Sequence, residues 1–353
     1  MPKNYTQLTE SVRNRLNPEH KALTPTFIKE LSTISYSDVL VFIRTSMKGV
    51  EPEYTQRSRD AGERVKEHLL KGLTQVSFRY QGSVMTNTHI KAYSDIDLLT
   101  ISEKFYQADI YNVRQILENS EERIKYYPSS IGKMEKEINA SSYQGNALDD
   151  LRLNRLKSEE ILSDVYSICD KSKPKSIKIK NLSLNREVDI VIANWYDDLT
   201  SIINDKGEYR GIQIYNKEKH QREVADYPFL SIKRINDRSS ETNGRLKKMI
   251  RFIKNIKAIS DHDIKLSSFD INAICYDIEV SKYKHLSFYE LVPVIYLQIK
   301  SICDSKSHSD SIISVDGREY IFRYNSDKLD NLKLVLNEIQ SIFLDLHINV
   351  LSK

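Results

Sequence analysis

No apolar run in this sequence approaches the roughly 18 residues that a helix needs to cross a bilayer. The first twenty residues, MPKNYTQLTESVRNRLNPEH, are polar and lack the apolar middle of a secretory signal, which points to a cytoplasmic protein that avoids membranes. Cysteine is nearly missing. Cys169, Cys275 and Cys303 are too few and too widely spaced for a disulfide framework or paired zinc ligands, so they are expected to be reduced and structural. Excess charge is small as well: 53 Lys and Arg against 49 Asp and Glu leave +4, without the basic surplus of a strong nucleic-acid binder. A small anionic ligand would need only a local basic cluster. The absence of repeats and long low-complexity tracts excludes solenoid and linker-rich architectures.

What is present is ordinary globular material, 353 residues with 40% hydrophobic and 29% charged side chains, a length that suggests about two domains. Residues 54 to 71 read as a polar-rich helix, followed by the strand VSFRY, which runs into Gly82 and Ser83. After a polar loop, DIDLLTI becomes continuously apolar, as in a largely buried strand, and the charged stretch 103 to 145 reads as an insertion with helical pieces. Residues 147 to 169 are an amphipathic helix, and KSIKIKNLSLN and REVDIVIANWY are alternating strands. From about 240 the pattern turns helical. Leu246, Met249, Ile250, Ile253 and Ile256 line one helix face, Ile271, Ile274, Cys275 and Ile278 a second, Pro293 opens a third, and Leu329 to Leu346 form the last. SIISVDGREYIFRY reads as a hairpin around an Asp-Gly turn.

Asp95 and Asp97 fall on the same face of an extended strand, with Cα atoms about 6 to 7 Å apart. Two unpaired carboxylates at that spacing repel and resist desolvation; a divalent cation between them offsets both costs. Magnesium suits such hard oxygen ligands and bridges carboxylates to substrate phosphates. Upstream, Gly82 permits a close backbone approach, and the Ser83 hydroxyl with neighbouring amides could hold a phosphate oxygen at a helix N-terminus. Asp189, flanked by Val188, Ile190, Val191 and Ile192, needs a reason to sit mid-strand and is the choice for a third ligand. Glu187 could be a solvated edge residue, and Asp197 and Asp198 look like a polar strand exit. Three carboxylates can hold two metal ions about 3.5 to 4 Å apart, the requirement for in-line nucleotidyl transfer.

Gly82-Ser83, Asp95-Ile96-Asp97 and Asp189 resemble the signature of the DNA polymerase β-like nucleotidyltransferase superfamily. Within it, QGSVMTNT followed by YSDIDLL is most similar to the bacterial cGAS/DncV-like enzymes, which share the Gln-Gly-Ser, a threonine at the place of Thr88 and the Ser-Asp-x-Asp of Ser94 to Asp97. A second block, TNGRLKKMIRFIKNIKAI and then LSSFDINAICYDI, is similar to the family's basic helix and Ser-Ser-aromatic helix start. The match covers about 54 to 100 and 175 to 280.

The resemblance implies an α+β protein: a nucleotidyltransferase catalytic domain over 1 to 215 with a mixed sheet, flanking helices and N-terminal helices, then a mainly helical nucleotide-binding domain over 216 to 353. It implies a monomeric cyclic oligonucleotide synthase that joins nucleoside triphosphates into a cyclic di- or trinucleotide and releases pyrophosphate. Two magnesium ions would serve it, replaceable by manganese, and its product would activate a separate effector in anti-phage defence. Asp95, Asp97 and Asp189 would be both catalytic and metal-binding; Gly82, Ser83, Thr88, Lys254, Ser267, Ser268 and Phe269 would bind nucleotide, Phe269 by stacking on a base. Lys247, Arg251 and Lys254 form a positive stripe at helical spacing. Read without the resemblance, that stripe is a solvated face, Ser267 an N-cap and Phe269 a core residue.

Other features carry less. His89 lacks a second histidine at metal-ligand spacing and suits a surface or lid position. Trp195 and Tyr196 suit half-buried packing, and the lysines of KSKPKSIKIK the exposed face of a strand. Two rival functions share part of the pattern: a template-independent transferase acting on RNA or protein, and a non-catalytic nucleotide-binding scaffold.

Overall fold

The computed structural model describes residues 3 to 20 and 37 to 347. The chain divides into two compact units. One comprises Gln56–Gly82 and Asp95–Lys233; the other comprises Met1–Thr55, Ser83–Ser94 and Arg234–Lys353.

The first unit is built on a seven-stranded mixed sheet. Its strands are β1 (Val76–Gln81), β2 (Ile96–Ala108), β3 (Cys169–Asp170), β4 (Ile177–Asn181), β5 (Arg186–Asp197), β6 (Gly211–Asn216) and β7 (Gln221–Arg222). They run in the order β1-β2-β5-β4-β3, with β6 on β5 and β7 on β6. β2 and β5 are parallel, while β1 on β2, and both β4 and β6 on β5, are antiparallel. A parallel pair needs a long crossover. Here it is made by the helices Ile110–Glu118, Ser120–Arg123, Pro128–Ile138 and Ala147–Val165, which include the anticipated insertion.

Side-chain alternation divides the two central strands cleanly. On one face Ile96, Leu98, Val188 and Ile190 are completely buried. On the other, Asp97 and Asp189 stand at one end, and the same face then turns apolar through Leu99, Ile101, Val191, Ala193 and Trp195, which pack with Ile212 and Phe229. The carboxylates therefore lie at the margin of a dry cluster.

The second unit is helical, and its core follows the expected faces. Leu246, Met249, Ile250, Ile253 and Ile256 of the helix Arg245–Ile259 are buried against Ile271, Ile274 and Cys275 of Ser268–Asp277, and against Leu332, Ile339 and Leu346 of Ser326–Leu346. The helices Tyr5–Leu16 and Asp38–Met47 add Val12, Phe42 and Ile43 to the same core. The expected hairpin at 311 to 324 is absent. The Asp-Gly turn forms, with Gly317 at φ +81°, but a single bridge between Ile313 and Tyr320 is all the strand pairing it supports. Ile312 and Ile321, which face each other across that bridge and share a backbone hydrogen bond of 2.9 Å, are both buried in the helical core. All three cysteines are free. Among the described residues no helix is long and apolar enough to cross a membrane.

Candidate active site

The sheet register sets the acidic cluster. Asp97 lies beside Gln81 of β1 on one side and Asp189 of β5 on the other, and Asp189 in turn faces Lys178 of β4. Asp95 precedes β2 by one residue, and with Ile96 opposite Val188 it falls level with Glu187 on the acidic face. Residues 92 positions apart in the chain are thus neighbours across one ladder. Glu187 is not at an edge, because β5 is central, and it pairs with the Lys178 ammonium at 2.6 Å. Lys178 also donates to Asp95 Oδ2 at 2.9 Å and stands 3.9 Å from Asp189 Oδ2. Lys178 of β4 is therefore more than part of a solvated strand face.

Burial, aided by the repulsion of Asp189 and Asp95, pushes the Asp97 carboxyl up to about 6, and Lys178 opposes the rise. Burial raises Asp189 as well, against the pull of Lys178 and Lys173. Burial disfavours the Lys178 ammonium, but its hydrogen bonds to Glu187 and Asp95 prevail and hold it above the ordinary lysine value.

Asp189 Oδ1 is buried and has no hydrogen-bond partner; its nearest cation, Lys173 Nζ, is 3.8 Å away. Among the described residues no three His, Cys, Asp or Glu side chains close on a point as a finished metal-holding set, and the Lys178 ammonium lies between these carboxylates. The donor set nevertheless fits a hard divalent ion: only carboxylate oxygens, one of them buried and orphaned, with mutual repulsion that a cation would relieve.

Gly82 adopts φ +87°, and a Cβ there would meet Asp97 Oδ2 at 2.5 Å. Both facts demand glycine. Gly82→Ala is expected to cost about 1 to 3 kcal/mol in backbone strain and to displace the Asp97 carboxylate, with activity lost more severely than thermal stability. Wild-type turnover in a folded Gly82→Ala protein would contradict this. No helix starts at Ser83, contrary to the anticipated helix N-terminus. Ser83 to Asn87 are successive turns, closed by Thr88 N to Ser83 O at 3.0 Å and by Thr86 Oγ1 to Ser83 O at 3.2 Å. The polar turn residues pair locally in place of a first helical turn.

In the helical unit the basic stripe is largely dry. Lys254 is buried and donates to Thr88 O at 3.2 Å and Thr88 Oγ1 at 3.3 Å; burial pushes it down to about 8. Arg251, also buried, donates to Met47 O at 2.8 Å and Asn87 O at 2.7 Å, and burial pushes it down to about 10. Two buried cations held by carbonyls and a hydroxyl, with no carboxylate among these partners, are not a solvated face. Ser267 forms a capping box with Asp270 and is exposed, as is Ser268, while Phe269 packs partly into the helical core. His89 is buried rather than on the surface, its Nε2 3.1 Å from Thr55 Oγ1.

Asp197 was misjudged from sequence. It is fully buried, with Arg210 bidentate at 2.8 and 2.9 Å, Lys206 at 3.1 Å and the Ser201 hydroxyl at 2.7 Å. Asp198 caps the following helix by accepting from Ser201 N at 2.9 Å. Nothing in the local pattern marks partners 9 and 13 residues downstream. Trp195 is core, and its indole N–H donates to Glu103 at 2.8 Å.

Comparison with known proteins agrees with this geometry. The family profile of the cGAS/DncV-like nucleotidyltransferase C-terminal helical domain matches residues 233 to 343. A c-di-GMP synthase of Capnocytophaga granulosa is 54% identical over 348 residues, 98% of each chain. The solved STING-associated CdnE c-di-GMP synthase from Capnocytophaga granulosa is 49% identical, with TM-score 0.82 over 99% of this chain and all of that one. The corresponding Flavobacteriaceae sp. enzyme is 41% identical, with TM-score 0.91 over 99% of both. The molecule is thus a nucleotidyltransferase, an α+β enzyme with a mixed-sheet core and a C-terminal helical domain. Within that class the chain belongs to the cGAS/DncV-like nucleotidyltransferases.

Proposed function

We propose that the protein is a c-di-GMP synthase: it condenses two GTP molecules through a linear intermediate into the cyclic dinucleotide and releases two pyrophosphates. Three relatives of this name, 41% to 54% identical over nearly the whole chain, support the product. The single structural observation behind the chemistry is the register that puts Asp97 beside Asp189, with Asp95 on the same face.

In each half-reaction a ribose hydroxyl of one nucleotide attacks the α-phosphorus of another. The new P–O bond forms as the bond to pyrophosphate breaks, and the hydroxyl proton leaves to solvent. Asp95, Asp97 and Asp189 would hold two magnesium ions, which when bound lower the pKa of the attacking hydroxyl and neutralise charge on the leaving group. The chain's own part is to aim the three carboxylates from two adjacent strands. Gly82 keeps the backbone clear of Asp97, and the apolar cluster beyond Leu99 limits water on the acidic face. Ser83, Thr88, Lys254, Ser267 and Ser268 would contact the donor triphosphate, and Phe269 a base. The buried Lys254 is the strongest of these, because an anion would relieve its unpaired charge. The association of two solved relatives with STING supports a signalling role, in which a separate STING-type effector reads the product during anti-phage defence.

Incubation with GTP and magnesium alone is expected to give a phosphatase-resistant product of the mass of c-di-GMP. An enzyme that extends RNA or protein would give none without its acceptor, and a scaffold would release no pyrophosphate. Either result would overturn the proposal.

A further inference from the structure

Lys178 is the residue of the acidic face that the chemistry above leaves without a task. It stands opposite Asp189 in the β4–β5 register, and its ammonium hydrogen-bonds Asp95 Oδ2 at 2.9 Å and Glu187 Oε2 at 2.6 Å, 3.9 Å from Asp189 Oδ2. It therefore engages two of the three carboxylates assigned to the metals. Lys173, at 3.8 Å from Asp189 Oδ1, is more exposed and reaches only that one.

We propose that Lys178 is an internal counter-cation that competes with divalent metal for Asp95 and Asp189, and so sets the metal concentration at which the site fills. The inference rests on the metal-binding reading above and adds a regulating residue to it. Four acidic side chains, Asp95, Asp97, Glu187 and Asp189, share one face of two neighbouring strands. Without a positive charge among them their repulsion would loosen that end of the sheet. An ammonium and a divalent ion drawing on the same oxygens repel each other, so each binds at the expense of the other. The flexible four-carbon stem lets the ammonium swing aside while β4 stays in register. Glu187 is its natural landing point, because it pairs with Lys178 and is not one of the proposed metal ligands. Lys178 is on this account a positioning residue, acting through carboxylates rather than on substrate.

The test is manganese binding to the full chain without nucleotide, by calorimetry and electron paramagnetic resonance, with melting temperatures in EDTA and in saturating manganese. Lys178→Met is expected to tighten manganese binding about tenfold or more. It should melt below wild type in EDTA and recover most of that difference with manganese. Lys178→Arg, which keeps the charge, should bind no more tightly than wild type. Should the Met variant fail to fold in EDTA, Lys178→Gln is measured in its place. Equal or weaker manganese binding by a folded neutral variant overturns the competition. If wild type binds no more manganese than the Asp95→Asn/Asp97→Asn double variant, the metal reading itself fails and this inference with it. Binding that is specific but indifferent to residue 178 sinks this inference alone.

Discussion

Asp97→Asn is expected to abolish dinucleotide synthesis and, in the absence of divalent ions, to make the protein more stable. In its proposed role as a metal ligand, Asp97 would contribute several kcal/mol of transition-state stabilisation, so a loss of at least about a thousand-fold in kcat/KM is anticipated. The stability effect has the opposite sign because the Asp97 carboxyl is pushed up to about 6 by burial and by Asp189 and Asp95. The folded state then holds the proton more tightly than the unfolded chain, whose carboxyl titrates near 3.9. The associated stabilisation is complete below about pH 4, is lost as pH rises through about 6, and is absent at pH 8. Asparagine has no such loss. At pH 8 in EDTA the variant should therefore gain about 2 kcal/mol on wild type, allowing for the partial exposure of the group, and the gain should shrink towards pH 4. Denaturant melts at pH 5 and pH 8, beside pyrophosphate release from GTP, measure both. A variant that keeps more than a few per cent of activity, or that is less stable than wild type at pH 8, would contradict the assignment.

Asp197→Asn should do the reverse: damage the fold and spare the chemistry. The side chain is fully buried, and the variant leaves Arg210 facing an uncharged amide, while Lys206 keeps Glu137 at 3.2 Å. Removing one member of a buried ion pair costs about 3 to 5 kcal/mol, because the remaining charge stays desolvated. Asparagine keeps a carbonyl that can accept from Ser201, so a loss near 3 kcal/mol is expected. Asp197 is eight residues along β5 from Asp189, roughly 25 Å at strand rise, so turnover per folded molecule should stay within about twofold of wild type. Thermal melting and specific activity at low temperature separate the two quantities. A melting temperature unchanged by the substitution would show that the network contributes nothing.

Much of the architecture was legible because local periodicity and burial agree. The apolar positions of Arg245–Ile259 and Ser268–Asp277 are the buried ones, and the alternation in REVDIVIANWY is a strand with one dry face. Asp95 and Asp97 were legible as a pair on one face through strand alternation and their combination with Gly82-Ser83 upstream and Asp189 downstream, although Asp95 itself lies just before β2 and is exposed. The misses share a cause. The Asp-Gly turn at 316 to 317 marked a hairpin by its local chemistry, and the turn forms, but the pairing stops at a single bridge beside isoleucines buried in the helical core. Lys178 read as surface because alternation says which residues share a face, not what faces them. His89 looked like a surface residue for the same reason, and the stripe of Arg251 and Lys254 would look solvated without the resemblance; their partners, Thr55, Met47, Asn87 and Thr88, come from other segments.

By itself the amino-acid sequence determined most of the strands and the C-terminal helices, the acidic pair at 95 and 97, the glycine before them, and the kinship with nucleotidyltransferases. Those features depend on interactions within a few residues, on spacing along a strand or helix, and on short motifs. Only the tertiary structure decided that Asp189 stands next to Asp97, that Lys178 sits among the carboxylates, and that Asp197 anchors a buried ion network. Each of these depends on which strands and loops become neighbours, and that follows from strand pairing and the desolvation of charge across many residues, which no local pattern encodes.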